Sequence, residues 1–175
     1  MENDDALKKI LRAFEKFYTV RTCDVAAPFC ALAEFHAHGE QFFLTKAAKV
    51  ADIDTNEYVF FAREKFLDAA RLADLADEAW ERGLSFVKPY FGHKNSDVSL
   101  VILADESDSD AKKIVRKLRR YKSYKFGIYG WSAFNVSFCD FSSRKVFSNS
   151  RGENLKKNLQ EILFGFLPAN KNSNL

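Results

Sequence analysis

Two pairs of adjacent phenylalanines constrain the fold of this chain more than any other feature of its sequence. Phe42 with Phe43 and Phe60 with Phe61 lie in stretches whose pattern indicates β-strands. Because successive side chains of a strand point to opposite faces of the sheet, each pair places a large apolar ring on both faces. Both faces then need a cover. The 18 Phe, 6 Tyr and 2 Trp residues therefore predict a single sheet whose two sides are filled by aromatic side chains.

Turn and helix signals place the other elements along the chain. His38-Gly39 is predicted as a tight hairpin turn, because Gly supplies the positive φ that such a turn requires, and residues 52–57 are predicted as a second turn. Either Ser107 or Asp108 suits the N-cap of a helix. The predicted helices span about residues 5–18, 63–83 and 108–121, and a last helix is predicted to start at a Ser150–Glu153 capping box. The predicted strands span residues 31–37, 40–50, 58–62 and 98–103, and two or three more are predicted from residue 123 onward.

This order of elements predicts an α/β (α+β) fold. A helix, three strands, a helix, a strand, a helix, further strands and a final helix give a mixed sheet with an antiparallel three-strand meander and helices on both faces. The sequence contains no repeat or linker, so we expect one domain over residues 1–168 and a flexible tail over 169–175. The opening order also occurs in restriction-endonuclease-like folds, a distant analogy without functional weight of its own.

Cysteine usage and the first residues favour a cytoplasmic protein. Cys23, Cys30 and Cys139 are scattered and lack Cys-x-x-Cys spacing, so neither a disulfide framework nor a zinc site is expected. The start of the chain is acidic and polar, unlike a signal peptide, and no apolar run approaches the length of a membrane span. We therefore expect no membrane partner, and no motif indicates a cofactor.

Charge is distributed unevenly along the sequence. Residues 1–110 contain thirteen Lys or Arg and 21 Asp or Glu, whereas residues 111–175 contain fourteen and three. Eight of the cations fall within residues 112–125, which include no acid. Such polarity is an argument about binding partners rather than about fold.

The basic segment predicts a helix with one apolar and one positive side. The apolar side is expected to face the core and consists of Ala111, Ile114, Val115, Leu118 and Tyr121. Because no Asp or Glu is interleaved with the cations to form i,i+4 pairs, we expect their charge to be uncompensated locally. Phosphate backbones are common partners of such a surface, and neighbouring aromatic rings can stack on bases. The residues predicted to bind nucleic acid or another polyanion are Lys112, Lys113, Arg116, Lys117, Arg119, Arg120, Lys122, Tyr124 and Trp131, with Tyr121 as a further stacking residue.

A metal-dependent hydrolase or nuclease is the alternative hypothesis. Glu34 and His36 would lie on one face of a strand, and Asp52 is a further candidate ligand. The acids between 105 and 110 follow a buried strand, where open α/β sheets tend to bind ligands, although helix capping explains most of them. The sequence contains no glycine-rich phosphate loop and no Gly-x-Ser-x-Gly elbow. We therefore expect no catalytic residue, and a non-catalytic binding protein is the leading hypothesis.

A protein-interaction subunit is the third hypothesis. The acidic and basic parts of two copies could pair with each other, which leaves a homo-oligomer open.

Three runs of residues give the sequence a family resemblance. Residues 42–49, 100–105 and 123–132 together resemble a family of small uncharacterised prokaryotic proteins, a domain of unknown function, over about residues 5–160. The resemblance implies a single compact domain and transfers no catalytic residue.

Overall fold

A computed structural model of the 175-residue protein describes residues 3–42 and 49–165, with side chains left undescribed over 38–42 and 49–53. The tail predicted for residues 169–175 lies outside the described residues. Short 3₁₀ turns cover Val115–Lys117 and Lys125–Gly127. The helices are α1 (Asn3–Phe14), α2 (Ala69–Phe86), α3 (Ser109–Ile114) and α4 (Glu153–Phe164); the strands are β1 (Thr19–Arg21), β2 (Ala31–Phe42), β3 (Lys49–Leu67), β4 (His93–Ser107), β5 (Tyr121–Ser123), β6 (Trp131–Asp140) and β7 (Lys145–Ser148).

The strands form one mixed sheet, which confirms the predicted fold class. Their order is β1-β2-β3-β4-β6-β5, and β7 also pairs with β6. The first three strands are antiparallel, whereas β3, β4 and β6 run parallel. Since β4 occupies one edge of β6, the short strands β5 and β7 lie end to end along the other edge.

The adjacent phenylalanines Phe60 and Phe61 serve the two faces as predicted. Phe60 belongs to the core beneath α2 and α3, together with Leu100 and Phe134. Phe61 belongs to the core beneath α1 and α4, together with Val101. The sheet is therefore the middle of three layers, and its aromatic side chains are divided between two cores.

The long hairpin of β2 and β3 replaces the two turns that were predicted around it. Pairing runs without a break from Ala31 opposite Phe61 to Gln41 opposite Ala51, with Gly39 opposite Ile53. Neither His38-Gly39 nor residues 52–57 is therefore a turn. Polar residues are accommodated inside these strands because they face one another, as His36 faces Asn56.

The helix predicted from residue 63 begins six residues later. Residues 63–67 continue β3 and pair with β4, and Phe66 in this stretch is 51% exposed. Asp68 ends the strand and caps α2 by accepting a hydrogen bond from the Arg71 backbone N–H at 2.7 Å. Residues 63–67 therefore remain in the strand despite the helical spacing of their apolar residues, because they pair with β4 and Asp68 caps the helix after them.

A glycine lets α2 lie close to the sheet. Gly83 is buried in the helix, and a Cβ atom at this position would stand 2.5 Å from both methyl groups of Val98 on β4. A valine side chain has little freedom to turn away, because its Cβ is branched. The glycine therefore sets the distance between helix and strand.

Gly83→Ala is expected to lower the free energy of unfolding by about 1–3 kcal/mol, because overpacking outweighs the better helix propensity of alanine. Urea denaturation measures the effect. Val98→Ala alone also destabilises, by leaving a cavity. If the close contact is the cause, the double variant costs less than the sum of the two single variants; strict additivity would contradict this account.

Candidate functional site

The basic segment that was predicted as one helix is divided between a helix and a sheet edge. After α3 and the turn at 115–117 the chain becomes extended and enters β5. This stretch covers the edge of β6, where the Phe134 N–H donates to the Arg120 carbonyl oxygen at 3.1 Å. The predicted helix over 108–121 is therefore wrong beyond residue 117. Tyr121, predicted to face the core, is 62% exposed.

The start of the segment agrees with the sequence. Asp108 is the N-cap of α3 and accepts a hydrogen bond from the Ala111 N–H at 2.6 Å. Ala111 and Val115 are fully buried, and Ile114 and Leu118 pack against the same core. These apolar contacts hold the cations of the segment at the surface.

Three of the cations are paired with acids, which corrects the expectation of an uncompensated positive face. Lys112 lies 2.7 Å from Asp140, Lys113 lies 2.9 Å from Asp110, and Arg120 contacts Asp77 on α2. Two of these acids come from distant parts of the chain, so spacing along the segment did not reveal them.

Lys112 is tied into the protein interior. Its partner Asp140 is fully buried at the end of β6 and also accepts from the hydroxyls of Ser107 (2.7 Å) and Ser142 (2.6 Å). Burial disfavours the ionised carboxyl, but Lys112, these two hydroxyls and the Ser143 N–H outweigh it and hold the pKa of Asp140 well below its ordinary value. The Lys112 ammonium also stands 5.3 Å from the Phe147 ring. Its role is therefore structural.

The remaining cations of the segment face solvent. The five are Arg116, Lys117, Arg119, Lys122 and Lys125, and all are exposed. The first three have no ion-pair partner anywhere in the described part of the chain. These positions carry positive charge that a ligand can meet without breaking an existing contact.

Two concave areas extend this charge into other parts of the chain. A recess of about 310 Å³ is lined by Arg119, Arg120, Tyr121, Asn149, Ser150 and Arg151. A groove of about 650 Å³ places Arg116 beside Lys145 of β7 and Lys156 and Lys157 of α4. Glu153 and Glu161 also line this groove, and the Lys156 ammonium lies 3.1 Å from the Glu153 carboxylate. The basic surface, as we use the term, comprises Arg116, Lys117, Arg119, Arg120, Lys122, Lys145, Arg151, Lys156 and Lys157.

The Asn149 side chain joins the segments of chain that line the recess. Asn149 follows β7 at the gap between β5 and β7, where β6 lacks a strand partner. Its Oδ1 accepts from the N–H groups of Val136 (3.2 Å) and Gly152 (2.8 Å), and its Nδ2 donates to the carbonyl oxygens of Phe134 (2.9 Å) and Leu118 (3.1 Å). The side chain uses both donors and both acceptor sites, and so takes the place of the missing strand.

The predicted capping box at the start of α4 is wrong. Gly152 is the N-cap, and Ser150 is exposed beside the recess. A Cβ at Gly152 would stand 2.7 Å from the Val136 carbonyl oxygen. The tight turn at Asn149 therefore determines where α4 begins, and it leaves the Ser150 hydroxyl and Arg151 at the surface.

A strained turn adjoins the basic surface and exposes an aromatic ring. Lys125 and Phe126 have positive φ values of 48° and 56°, followed by Gly127 at 90°. Non-glycine residues rarely adopt this conformation, and the Phe126 side chain is fully exposed. In the sequence, only the neighbouring Gly127 indicates a turn at Phe126.

Two of the three rings that were predicted to stack on bases, Tyr124 and Trp131, are half-buried. The Tyr124 hydroxyl lies 2.9 Å from the Ser132 hydroxyl, and the Lys122 ammonium lies 5.6 Å from the Tyr124 ring. Trp131 is half-buried in β6. Tyr121 and Phe126 offer more open ring surface than either.

Two of the alternative metal ligands lie together, as predicted: the His36 Nε2 atom is 3.8 Å from the Glu34 Oε2 atom. Both are also held by other partners, since His36 bonds Asn56 at 2.7 Å and Glu34 contacts Arg21 across the strands. Asp52 lies on β3, but its side chain is outside the described set. Within residues 3–42 and 49–165, no group of three or more His, Cys, Asp or Glu side chains could hold a metal ion.

Comparison with known proteins gives one match. A family model described as "Domain of unknown function (DUF8052)" matches residues 2–161. No curated protein and no solved structure matches the chain. Within the described residues, every helix is too short or too polar to cross a membrane.

Lys112→Met is expected to lower the free energy of unfolding by about 3 kcal/mol, because it leaves the buried Asp140 carboxylate without its cation. Lys113→Met is the matched control. It removes the same charge one residue away from an exposed ion pair, so it should leave unfolding nearly unchanged. Urea denaturation at neutral pH compares the two variants, and equal effects would contradict a structural role for Lys112.

Proposed function

The chain belongs to the family described as "Domain of unknown function (DUF8052)", and we propose that it is a non-catalytic protein that binds single-stranded nucleic acid on its basic surface. The convergence of cations from three separate stretches of chain, beside exposed aromatic rings, carries this proposal. Residues 116–122, Lys145 and residues 151–157 all contribute to that surface. Chance exposure of one basic helix would not gather charge in this way.

The recess fits a phosphate group. Arg119, Arg120 and Arg151 line it together with Ser150. Guanidinium groups donate paired hydrogen bonds in the geometry that phosphate oxygens accept. The Nε atom of Arg120 is buried and donates no hydrogen bond to any described residue, so one donor near the recess still lacks an acceptor. A bound anion would add to the partial neutralisation that Asp77 already provides.

The backbone of a nucleic acid bound in the recess can continue along the groove. Arg116 lines the groove, and Arg119, three residues along, lines the recess. Lys145 and Lys157 extend the groove with exposed ammonium groups. A strand of nucleic acid that follows these cations would place successive phosphates on the basic surface and release their counterions.

Exposed rings favour a single strand over a duplex. Tyr121 is accessible on the edge strand β5, where Lys122 follows it in the chain, and Phe126 is accessible in the turn after β5. Bases that are free of a duplex can stack on such rings, whatever their sequence. The strain at Phe126 is consistent with a functional use, because strained residues cluster at binding sites.

We include a cytoplasmic location in this proposal. Cys23, Cys30 and Cys139 are free thiols, which suits a reducing compartment. Binding to a second copy of the chain through opposite charges is a competing use of the basic surface. Light scattering at low and high salt would reveal it as a salt-sensitive dimer in the absence of nucleic acid.

The combined variant Arg116→Ser, Arg119→Ser and Lys122→Ser is expected to weaken binding to a labelled single-stranded oligonucleotide and to lower the slope of log affinity against log salt by about 2, since each phosphate contact contributes about 0.7. Fluorescence anisotropy over a salt series measures both quantities. The matched control is Lys8→Ser, Lys9→Ser and Arg12→Ser, which removes the same charge from exposed positions of α1. Equal losses in the two variants would show that net charge alone is responsible, against the proposal.

Phe126→Leu is expected to weaken single-strand binding by about 1–3 kcal/mol without changing the salt slope, because leucine keeps the apolar character but loses the flat ring. The exposed Phe17 supplies a control, Phe17→Leu, on a different part of the protein. Duplex of the same sequence should be insensitive to either change. Unaltered single-strand affinity in Phe126→Leu would contradict base stacking at this turn.

A further inference from the structure

A cleft on the α1 and α4 side of the sheet has the features of a small-molecule site. Its volume is about 690 Å³, within the range of ligand pockets. One wall is the end of α1 with the turn after it, the other wall is α4, and the floor is formed by β3, β4 and β6. The cleft is separate from the recess, although Arg151 lines both.

The floor changes from apolar to polar along the parallel strands. Phe61, Val101 and Cys139 belong to the buried core of this face. Toward the amino ends of the same strands, the residues that line the cleft are Glu57, Asp97 and Asn135. Side chains two apart on a strand share a face, so this change occurs without any change of register.

Two carboxyl groups lie side by side on this floor. Glu57 and Asp97 are direct register partners in the parallel pair of β3 and β4. Like charges at neighbouring positions of two strands are unfavourable. The site therefore holds a concentration of negative charge that packing alone does not require.

Hydrogen bonds fix the position of one of these carboxylates. Glu57 accepts from the Tyr18 hydroxyl through Oε2 (2.5 Å) and from the Ser99 hydroxyl through Oε1 (2.6 Å). The Asn135 amide donates in turn to the Ser99 oxygen at 3.0 Å. Ser99 is fully buried. Glu57 is thus held in place with capacity for further donors.

The other carboxyl lacks full compensation. The Oδ1 atom of Asp97 is buried and accepts no hydrogen bond from any described residue. Burial raises the pKa of Asp97; the nearby Arg151 guanidinium opposes this effect, and the charge of Glu57 adds to it. A further positive group in the cleft would favour the ionised form.

The walls are apolar and partly open. Phe14, Leu155 and Ile162 line the cleft, and Phe17 at its rim is 75% exposed. Glu161 also lines it, so three acids face a single cation, Arg151. Charge complementarity therefore favours a positive ligand over an anionic one.

We propose that this cleft binds a small organic amine, whose ammonium group lies against Glu57 and Asp97 and whose apolar body packs between Phe14, Phe17 and Leu155. Aromatic rings near an ammonium group add a favourable cation–π contact. This inference does not rest on nucleic-acid binding, because the groups that would hold the amine, Glu57 and Asp97, are not part of the basic surface.

Three probes of similar shape and different charge test the proposal: phenethylamine, 2-phenylethanol and 3-phenylpropionate. Amide chemical shifts of the ¹⁵N-labelled full chain report the binding site and the affinity. Phenethylamine is expected to shift residues 13–18 and 154–162 with a dissociation constant of about 1 mM or below, and the alcohol to bind about tenfold more weakly. Equal or tighter binding of the alcohol or the carboxylate would overturn the proposal, as would an amine that shifts other residues or causes no saturable shift.

Asp97→Asn separates a charged site from a merely structural polar cluster. The change keeps the shape of the side chain, and it is expected to weaken phenethylamine at least tenfold while leaving the weak binding of 2-phenylethanol unchanged. Glu57→Gln should act in the same way, and Asp74→Asn on the exposed side of α2 is the matched control. If Asp97→Asn and Asp74→Asn both retain the affinity of the wild type for the amine, the assignment of the ammonium site is wrong.

Discussion

The parallel pairing of β4 between β3 and β6 determines where the polar groups of this protein can lie. Residues 98–104 of β4 are buried on both faces of the sheet, so the strand offers no room for a functional side chain along its middle. Apart from the buried Ser99, the polar residues of β4 are confined to its two ends. Because the neighbours run parallel, their ends coincide with those of β4. Glu57, Asp97 and Asn135 are gathered at one end in this way, and Asp105 and Asp140 flank the other.

The two ends have different roles. At the carboxyl ends, Asp140 is neutralised by Lys112 and three further donors, and Asp108 caps α3. Open α/β sheets commonly bind ligands at this end, but here Asp140 and Asp108 are occupied by structural contacts. At the amino ends, the carboxyls of Glu57 and Asp97 face an open cleft. The acidic cleft therefore lies at the opposite end from the usual site.

Much of the layer arrangement could be predicted because it depends on local patterns. Phe60 and Phe61 indicate two covered faces by alternation alone, and the apolar run at 98–103 identifies the central strand. The His38-Gly39 turn was wrong because a glycine that permits a turn does not require one, and the pairing of polar residues such as His36 and Asn56 stabilises the longer hairpin. These elements depend on pairing between strands that are distant in sequence, and local residue spacing does not predict such pairing.

The candidate sites depend still more on contacts between distant residues. Arg116 and Arg119 could be selected as exposed cations from the periodicity of their segment. The pairing of Arg120 with Asp77 and of Lys112 with Asp140 could not, because the acids lie 43 and 28 positions away. Glu57 was assigned to a turn, so its contact with Tyr18 was not foreseen. Arg151 was assigned only to the predicted capping box, so it was not selected as a site residue.

The hydrogen bonds of Asn149 help to position both the basic surface and the cleft. The gap between β5 and β7 leaves backbone groups of β6 without partners, and unpaired backbone groups in the interior are costly. The Asn149 amide satisfies them and at the same time fixes Leu118 and Gly152. Gly152 in turn starts α4, which carries the wall of the cleft, and the preceding residue, Arg151, reaches both sites. The positions of both sites thus follow from the way in which one interrupted sheet edge is completed.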